Sequence, residues 1–394
     1  MNEWPSVRLE ECCQIVSGAT PSTSEPAFWD GDICWATPKD LSDLQGAYIS
    51  DTPRKLTRAG LESCAATVLP PHSVLFSSRA PIGHVAVNTV PMATNQGFKS
   101  FIPKPDRIHA KFLYHWLRRH RPYLESLGNG ATFKEVSKAV VSRIEIALPP
   151  LPDQRRIADV LDRTEALRAK RRATLGQLDT LTQFIFLEMF GDPATNPKGW
   201  SVAPLAELCT IAGEYGAGVA SKEYDPGLPR YVRITDVTGS GDLNEDAVSP
   251  AGAKRLWEGY LLSPGDVLFA RSGATVGKTY IHRQSHGSCV FAGYLIRFRP
   301  RAELLLPEFL FQYTRMPAYR QWVTARQRVV AQPNINARQY GQDLQIPLPP
   351  MALQGAFADR IAAIETLKGT QRASLAELDT LFASLQHRAF RGEL

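Results

Sequence analysis

Ile146-Ala147-Leu148-Pro149-Pro150-Leu151 and Ile346-Pro347-Leu348-Pro349-Pro350-Met351 are one phrase written twice, 200 residues apart. Proline has no N–H to give a helix and disfavours helix in the residue before it, so each copy marks a boundary. The register holds downstream: Gln154 with Gln354, Ala158 with Ala358, Leu167 with Leu367, Arg172 with Arg372. LDTL at 178–181 returns letter for letter at 378–381, and Phe190 matches Phe390. Asp153 is placed to cap a helix N-terminus. From there to Phe190 no proline occurs and Gly176 is the only glycine, so a long helix is predicted.

Positions 157, 161, 164, 168, 171, 175, 178, 182 and 185 read Ile, Leu, Thr, Arg, Arg, Leu, Leu, Thr, Ile. The same stripe 200 residues on reads Phe, Ile, Ile, Lys, Gln, Leu, Leu, Phe, Leu. Alternating steps of four and three give the 3.5-residue period of a coiled-coil seam. Both stripes turn polar at the same centre, 168 and 171 in one, 368 and 371 in the other. Two stripes of equal length predict helices that pair with each other; the alternative is burial of each against its own globule. A helix of about 38 residues is ~57 Å long, against ~34 Å for one turn of DNA. Such a rod could hold two readers over successive grooves, or serve as a plain spacer.

The upstream halves match more loosely, at an offset near 196: Trp4 with Trp200, Leu9 with Leu205, Glu11 with Glu207, Cys13 with Cys209, Ile15 with Ile211, Asp40 with Asp236, Gly97 with Gly293. Val74-Leu75-Phe76 resembles Val267-Leu268-Phe269. The chain therefore reads as globule (1–150), helix (151–190), globule (191–350), helix (351–394). Close likeness in the helices and faint likeness in the globules suggest a shared mounting with two different readers. Strands are predicted at 73–76, 85–87, 144–146, 231–234, 267–270 and 294–298, and short helices at 111–119 and 307–313. The fold class expected is α+β, with two pseudo-repeated globules of mixed helix and strand joined to two long helices.

At 394 residues the chain is too long for one compact domain. Its 44% apolar and 21% charged residues exclude wholesale disorder, and 28 glycines with 29 prolines exclude a collagen-like chain. Cysteines at 12, 13, 34, 64, 209 and 289 form no CxxC pair, which predicts reduced thiols in a cytoplasmic chain without a structural metal. No apolar run reaches the ~20 residues needed to cross a bilayer, and MNEWPSVRLEECC does not read as a secretory leader. The net charge of +6 is spread as +2, +1, +3 and 0 over the four segments. That permits nucleic-acid binding without demanding it, because phosphate neutralisation needs local clusters of cations.

Gly273 to Thr279 reads GATVGKT, with three residues between its glycines where a phosphate-cradling P-loop needs four. A P-loop enzyme is thus a weak alternative; a loop presenting N–H groups and Lys278 to a DNA phosphate, or a plain tight turn, fits better. No HExxH pair, GxSxG elbow, Asn-Pro-Pro-aromatic run or nuclease-type carboxylate pair occurs, so neither catalysis nor a cofactor is expected. Polar clusters suited to DNA are more prominent. In the first globule they comprise Lys39, Arg54, Lys55, Arg58, Arg79, Asn95, Gln96 and Lys99. The second offers Arg233, Arg271, Ser272, Lys278 and, in QPNINAR, Gln332, Asn334, Asn336 and Arg338. Arginine pairs with guanine, and Asn or Gln with adenine, in the major groove; lysine mostly holds phosphate. Each of these residues could equally be an ordinary solvated surface group. The run Arg168–Arg172 could touch phosphate or form a solvated helix face.

On the duplicated LPPLPDQ and LPPMALQ stretches, each opening a long helix, the whole chain resembles specificity subunits of type I restriction–modification systems. That resemblance implies two target-recognition domains, each reading one half of a split, asymmetric site in double-stranded DNA. It implies helices packed as an antiparallel coiled coil that fixes the gap. The implied partners are two methyltransferase subunits and restriction–translocase subunits, with no membrane and no catalysis by the chain itself. Family members usually carry Glu-Gln after the prolines; here the pairs are Asp153-Gln154 and Leu353-Gln354. A coiled-coil scaffold whose globules bind protein is the remaining alternative.

Overall fold

A computed structural model describes residues 4–44, 46–130, 134–327 and 334–394. Two long helices dominate, Leu151–Phe190 and Met351–Ala389. The chain divides into two compact units, and the division cuts through both helices. Met1–Arg171 with Ser374–Leu394 form the first unit, and Arg172–Ala373 the second. Each unit thus holds one globule, one half of the first long helix and one half of the second.

In the first unit, strands Ser6–Arg8 and Glu145–Ala147 pair antiparallel, with Val7 opposite Ile146. This joins the start of the globule to its end, just ahead of Leu151. The second unit repeats the device with Ser201–Pro204 and Gln345–Leu348, where Ala203 faces Ile346. Between these clasps the first unit has a five-stranded sheet in the order Cys13–Ser17, Lys99–Pro103, Val74–Phe76, Val85–Asn88, Tyr48–Ile49. The second has a four-stranded sheet, Cys209–Tyr215, Leu295–Pro300, Val267–Ala270, Thr279–Ile281. A smaller parallel pairing accompanies each, Trp35 beside Ala93 and Tyr231 beside Val290. Helices Ala110–Arg119 and Pro307–Tyr313 pack behind the sheets. The mixed α and β content expected from the sequence is present in both units.

The helix halves meet inside each unit through the expected stripe, except near the end of the first helix, where the seam passes through Phe186 and Phe190 and Ile185 is only partly buried. Ile157, Leu161, Phe382 and Ala389 share one buried core with Phe112, Leu113 and Phe76. In the second unit Phe186, Phe190, Phe357, Ile361 and Ile364 share a core with Phe309, Leu310 and Phe269. The repeated phenylalanine has the same task twice. Phe390 lies 5.6 Å from Phe112, centroid to centroid, and Phe190 lies 4.8 Å from Phe309. Each buried phenylalanine contributes roughly 1.5–3 kcal/mol of transfer free energy.

The polar centre of each stripe is an ion pair. Arg168 donates to Asp379 in the first unit, and Lys368 lies 2.7 Å from Asp179 in the second. These are one interaction in two copies, since 168 and 368, like 179 and 379, are repeat partners. Lys368 is 4% exposed, and Glu365 at 2.9 Å adds a second carboxylate. A buried pair of this kind adds little net stability but penalises any register that would leave a charge unmatched. Arg168 is therefore half-buried in the seam and leaves the solvated face expected for Arg168–Arg172, while Lys170 and Arg172 of that run are exposed.

The helices begin two residues before the Asp153 cap expected from the sequence. Pro152 fits the first turn, where no N–H is needed, so the chain is already helical at Leu151. Asp153 instead sits 3.5 Å from Arg156 within that turn. Leu353 at the matching position packs against the core of its unit.

Gln154 and Gln354 anchor the helices. Both are fully buried. The Gln154 Oε1 accepts from the His109 N–H at 2.8 Å, while its Nε2 donates to the Arg107 and Pro149 carbonyls at 3.0 and 2.8 Å. Gln354 makes the same three bonds, from the Leu306 N–H at 2.9 Å and to Leu304 and Pro349 at 3.1 and 2.9 Å. Each amide ties the proline lead-in to the loop ahead of the globule's packed helix. Gln154→Ala strands three buried backbone groups, and we expect it to cost about 3 kcal/mol. Urea unfolding measures this; a loss under ~0.5 kcal/mol contradicts the clamp. Gln354→Ala is expected to match it.

Candidate nucleic-acid interface

In the first unit the candidate residues converge on a turn at Asn95-Gln96-Gly97. Asn95 Oδ1 accepts from the Gly97 N–H at 2.9 Å, which closes the turn. A Cβ on Gly97 would lie 3.1 Å from Pro38 Cγ and 3.6 Å from Arg79 Cγ, so three loops touch here. Lys39 is exposed on the short helix Pro38–Ser42, whose start is fixed by Asp40 accepting from the Thr37 N–H at 2.7 Å. Gln96 is exposed and bonded to the Thr20 hydroxyl. Beside Thr20, the Ala19 carbonyl accepts from the Trp35 indole at 3.0 Å. Trp35 and Trp29 form an edge-to-face pair, and the exposed Arg54 guanidinium lies 3.6 Å above the Trp29 ring. This platform holds Arg54 ready at the surface, because an arginine stacked on indole gives up less freedom on meeting a ligand.

The other candidate cations of this unit, Lys99, Arg79, Lys55 and Arg58, each face a carboxylate. Lys99 is buried and lies 2.9 Å from Glu135, which also sits 3.7 Å from Arg79. Lys99 is thus a charge held under the surface, not an exposed phosphate contact. Lys55 lies 3.0 Å from Asp51, and that hydrogen bond holds the Asp51 carboxyl below the usual carboxylate range. Arg58 pairs with Glu62 at 3.0 Å.

The second unit builds the same frame from other side chains. Ser272 bridges to Asn334 as Arg79 bridges to Glu135. The Arg271 carbonyl accepts from Ile335 at 2.9 Å, as the Ser78 carbonyl accepts from Val136. Arg271 also donates its backbone N–H to Tyr294 at 3.1 Å, and its guanidinium lies 4.8 Å from the Tyr215 ring centre. Tyr215 is 38% exposed, so its ring supports this arginine at the surface, and Tyr294, 61% exposed, is tied to Arg271 through the main chain. The Tyr215 hydroxyl accepts from the Ala337 N–H at 3.1 Å, which draws the segment carrying Asn334, Asn336 and Arg338 against it. Asn336 and Gln339 cap one another's backbones at 2.9 Å each. Arg338 is exposed, and Gln332 lies outside the described residues.

Arg271, Ser272, Asn334 and Asn336 are therefore brought together. Arg233 is held elsewhere by the fully buried Asp236 at 2.7 Å, the counterpart of Asp40. Lys278 Nζ donates to the Val237 carbonyl at 3.1 Å. GATVGKT is a short 3₁₀ turn leading into strand Thr279–Ile281, whereas a P-loop needs a helix there to aim N–H groups at phosphate. The P-loop alternative does not hold. Tyr215 escaped the sequence reading because it lies in no polar cluster; its pairing with Arg271 is made by strands distant in the chain.

The family description "Type I restriction modification DNA specificity domain" matches residues 1–177 and again 197–378. The chain is 28% identical over 305 residues to the type I restriction enzyme MjaIX specificity subunit of Methanocaldococcus jannaschii, covering 71% of this chain and 68% of that protein. It is 25% identical over 343 residues to the EcoKI specificity subunit of Escherichia coli K12, covering 80% and 73%. In fold it is similar to the crystal structure of a type I S subunit from M. genitalium, with TM-score 0.57 and 14% identity over 98% of this chain and 96% of that one. With two copies of the domain spanning most of its length, the chain belongs to the type I restriction modification DNA specificity family and is a specificity subunit of such a system.

Proposed function

We propose that each unit reads one half of a split, asymmetric DNA site, and that the two long helices form an antiparallel coiled coil setting the gap. The observation carrying this reading is the shared loop frame with different side chains. Ser78, Arg79 and Glu135 stand in one unit where Arg271, Ser272 and Asn334 stand in the other. Two frames of one geometry present two patterns of donors and acceptors, which is what two different half-sites require. The chain itself is not catalytic in this reading and takes no cofactor. Its partners are double-stranded DNA, methyltransferase subunits and restriction–translocase subunits.

Stacked arginines are the strongest candidates for base contacts. Arg271 on Tyr215 and Arg54 on Trp29 are positioned to donate two hydrogen bonds to guanine, while Lys39 and Arg338 suit phosphate. The methyltransferase-bound chain, tested by gel retardation, is expected to behave accordingly. Arg271→Gln should lose about 1–3 kcal/mol of discrimination at one base of one half-site. Lys39→Ala should weaken every duplex alike and lower the salt slope by about 1. Exchanging residues 1–150 for a homologous globule should change one half of the methylated motif. An unchanged motif would favour the protein-binding scaffold instead.

Two methyltransferase copies also find a physical basis in the repeat. Leu167 and Leu381 are exposed in the first unit, and their repeat partners Leu367 and Leu181 in the second, all between 42% and 53%. Leucines exposed at matched positions offer one kind of partner two equivalent docking places. Leu167→Asp with Leu381→Asp should reduce the bound methyltransferase from two copies to one by light scattering; two retained copies would place the docking surface elsewhere.

A further inference from the structure

The second unit contains a pocket of about 250 Å³ lined by five cations, Arg283, Arg315, Arg320, Lys368 and Arg372, against three carboxylates, Asp179, Asp242 and Glu365. Its centre is Arg315. Counting on from the matched pairs Phe112–Phe309 and Leu113–Leu310, Arg315 occupies the place of Arg118 in the first unit. Arg118 pairs there with Glu165 and donates to the Tyr114 hydroxyl at 2.8 Å. Arg315 has only carbonyls, Gly239 at 2.8 Å and Thr279 at 3.0 Å, and its buried Nε has no partner among the described residues. Glu365, the repeat partner of Glu165, lies on the pocket wall but is taken by Lys368 at 2.9 Å and Arg372 at 3.8 Å. The other two acids of the wall are engaged as well, Asp179 by Lys368 at 2.7 Å and Asp242 by Arg372 at 2.9 Å.

Two more arginines line the same space. Arg315 and Arg283 lie 4.3 and 5.7 Å from the centre of one ring, Phe311, and Arg320 is exposed at the rim. Burial pushes the Arg315 guanidinium down to about 10 and Arg320 pushes the same way, against the opposing pull of Tyr319, Asp242 and Asp179. Arg315 is half-buried, and a cation drawn that far from water with no carboxylate bonded to it is costly. An adjoining pocket of about 290 Å³ shares Gly239, Arg315 and Arg320 and reaches Gly277 and Lys278 of the GATVGKT turn. The volume is below the roughly 300–1,000 Å³ of sites that enclose a drug-sized ligand, so a small anion fits and a whole nucleoside triphosphate does not.

We propose that this pocket binds a phosphoryl-type oxyanion, held by Arg315, Arg320 and Arg283. The anion supplies the negative charge that Glu165 supplies to Arg118 in the first unit. Its chemistry is that of inorganic phosphate, pyrophosphate or a backbone phosphate of DNA. The proposal stands apart from half-site reading, because none of the three arginines belongs to the Arg271–Tyr215 frame.

Thermal unfolding of the full chain during a pyrophosphate titration, against sodium chloride at equal ionic strength, tests it. The expected result is a saturating rise in Tm of about 3–6 °C with pyrophosphate alone. That rise should vanish in Arg315→Gln and fall by at least half in Arg320→Gln, whose exposed side chain makes it the safer variant to fold. An equal rise in both variants, or one reproduced by chloride, overturns the proposal. Gel retardation then separates the sources. If DNA phosphate is the occupant, pyrophosphate displaces the duplex and Arg320→Gln weakens all sequences alike; if a free oxyanion is the occupant, duplex binding is unchanged. Loss of sequence preference in the unmodified protein would defeat half-site reading and leave the pyrophosphate result standing.

Discussion

Everything in each unit is referred to one buried amide. A 40-residue helix that is polar over most of its surface has no means of fixing its own direction relative to a globule. Gln154 and Gln354 supply it. Each carboxamide satisfies one N–H and two carbonyls from chain segments that would otherwise be buried without partners. Because the bonds go to the main chain, they locate the helix axis against the globule to within hydrogen-bond tolerance. The antiparallel clasps Val7–Ile146 and Ala203–Ile346 fix the other end of the same lead-in. Between clasp and amide the proline pair is held rigidly, and proline lacks the N–H that would need a further partner.

The helical pairing then follows from two requirements that the stripe meets separately. Apolar positions bring the halves together without choosing a register, because leucine and isoleucine tolerate one another widely. The charged centre chooses it. Arg168 with Asp379 and Lys368 with Asp179 satisfy each other only when partners on one helix rise as partners on the other fall. A slip of one turn would take Asp179 away from the buried Lys368 and leave it only Glu365 of its own helix.

The helices were legible in the sequence because their signals are local: proline punctuation, a 3.5-residue period and a repeat at constant offset. The first turn starts earlier than an Asp153 cap predicts because Pro152 suits a helix start. Gln154 and Gln354 were visible as a matched pair, but their task depends on carbonyls of Arg107 and Leu304, more than forty residues upstream. The candidate interface was legible in part. Amides clustered with cations pointed to Asn95 and Gln96 and to the asparagines at 334 and 336. It could not show that Lys99 turns inward to Glu135, or that Tyr215 stacks under Arg271, since both depend on strand pairings distant in the chain.

This division explains why the two helices resemble each other and the two globules barely do. Where a side chain holds the structure, as the amide of Gln154 or the carboxylate of Asp379 does, its identity is dictated by the bond it makes. At the loop frame the holding is done by main chain, through Ser78 and Arg271 carbonyls accepting from Val136 and Ile335. Any residue except proline can supply those bonds. Side chains at 79, 271, 272 and 334 are thereby less bound to the work of folding, whereas the buried Ser78 hydroxyl donates to the Gly97 carbonyl and Glu135 balances Lys99. A frame that fixes position through main chain while leaving its outer chemistry open allows one fold to carry two unlike reading surfaces.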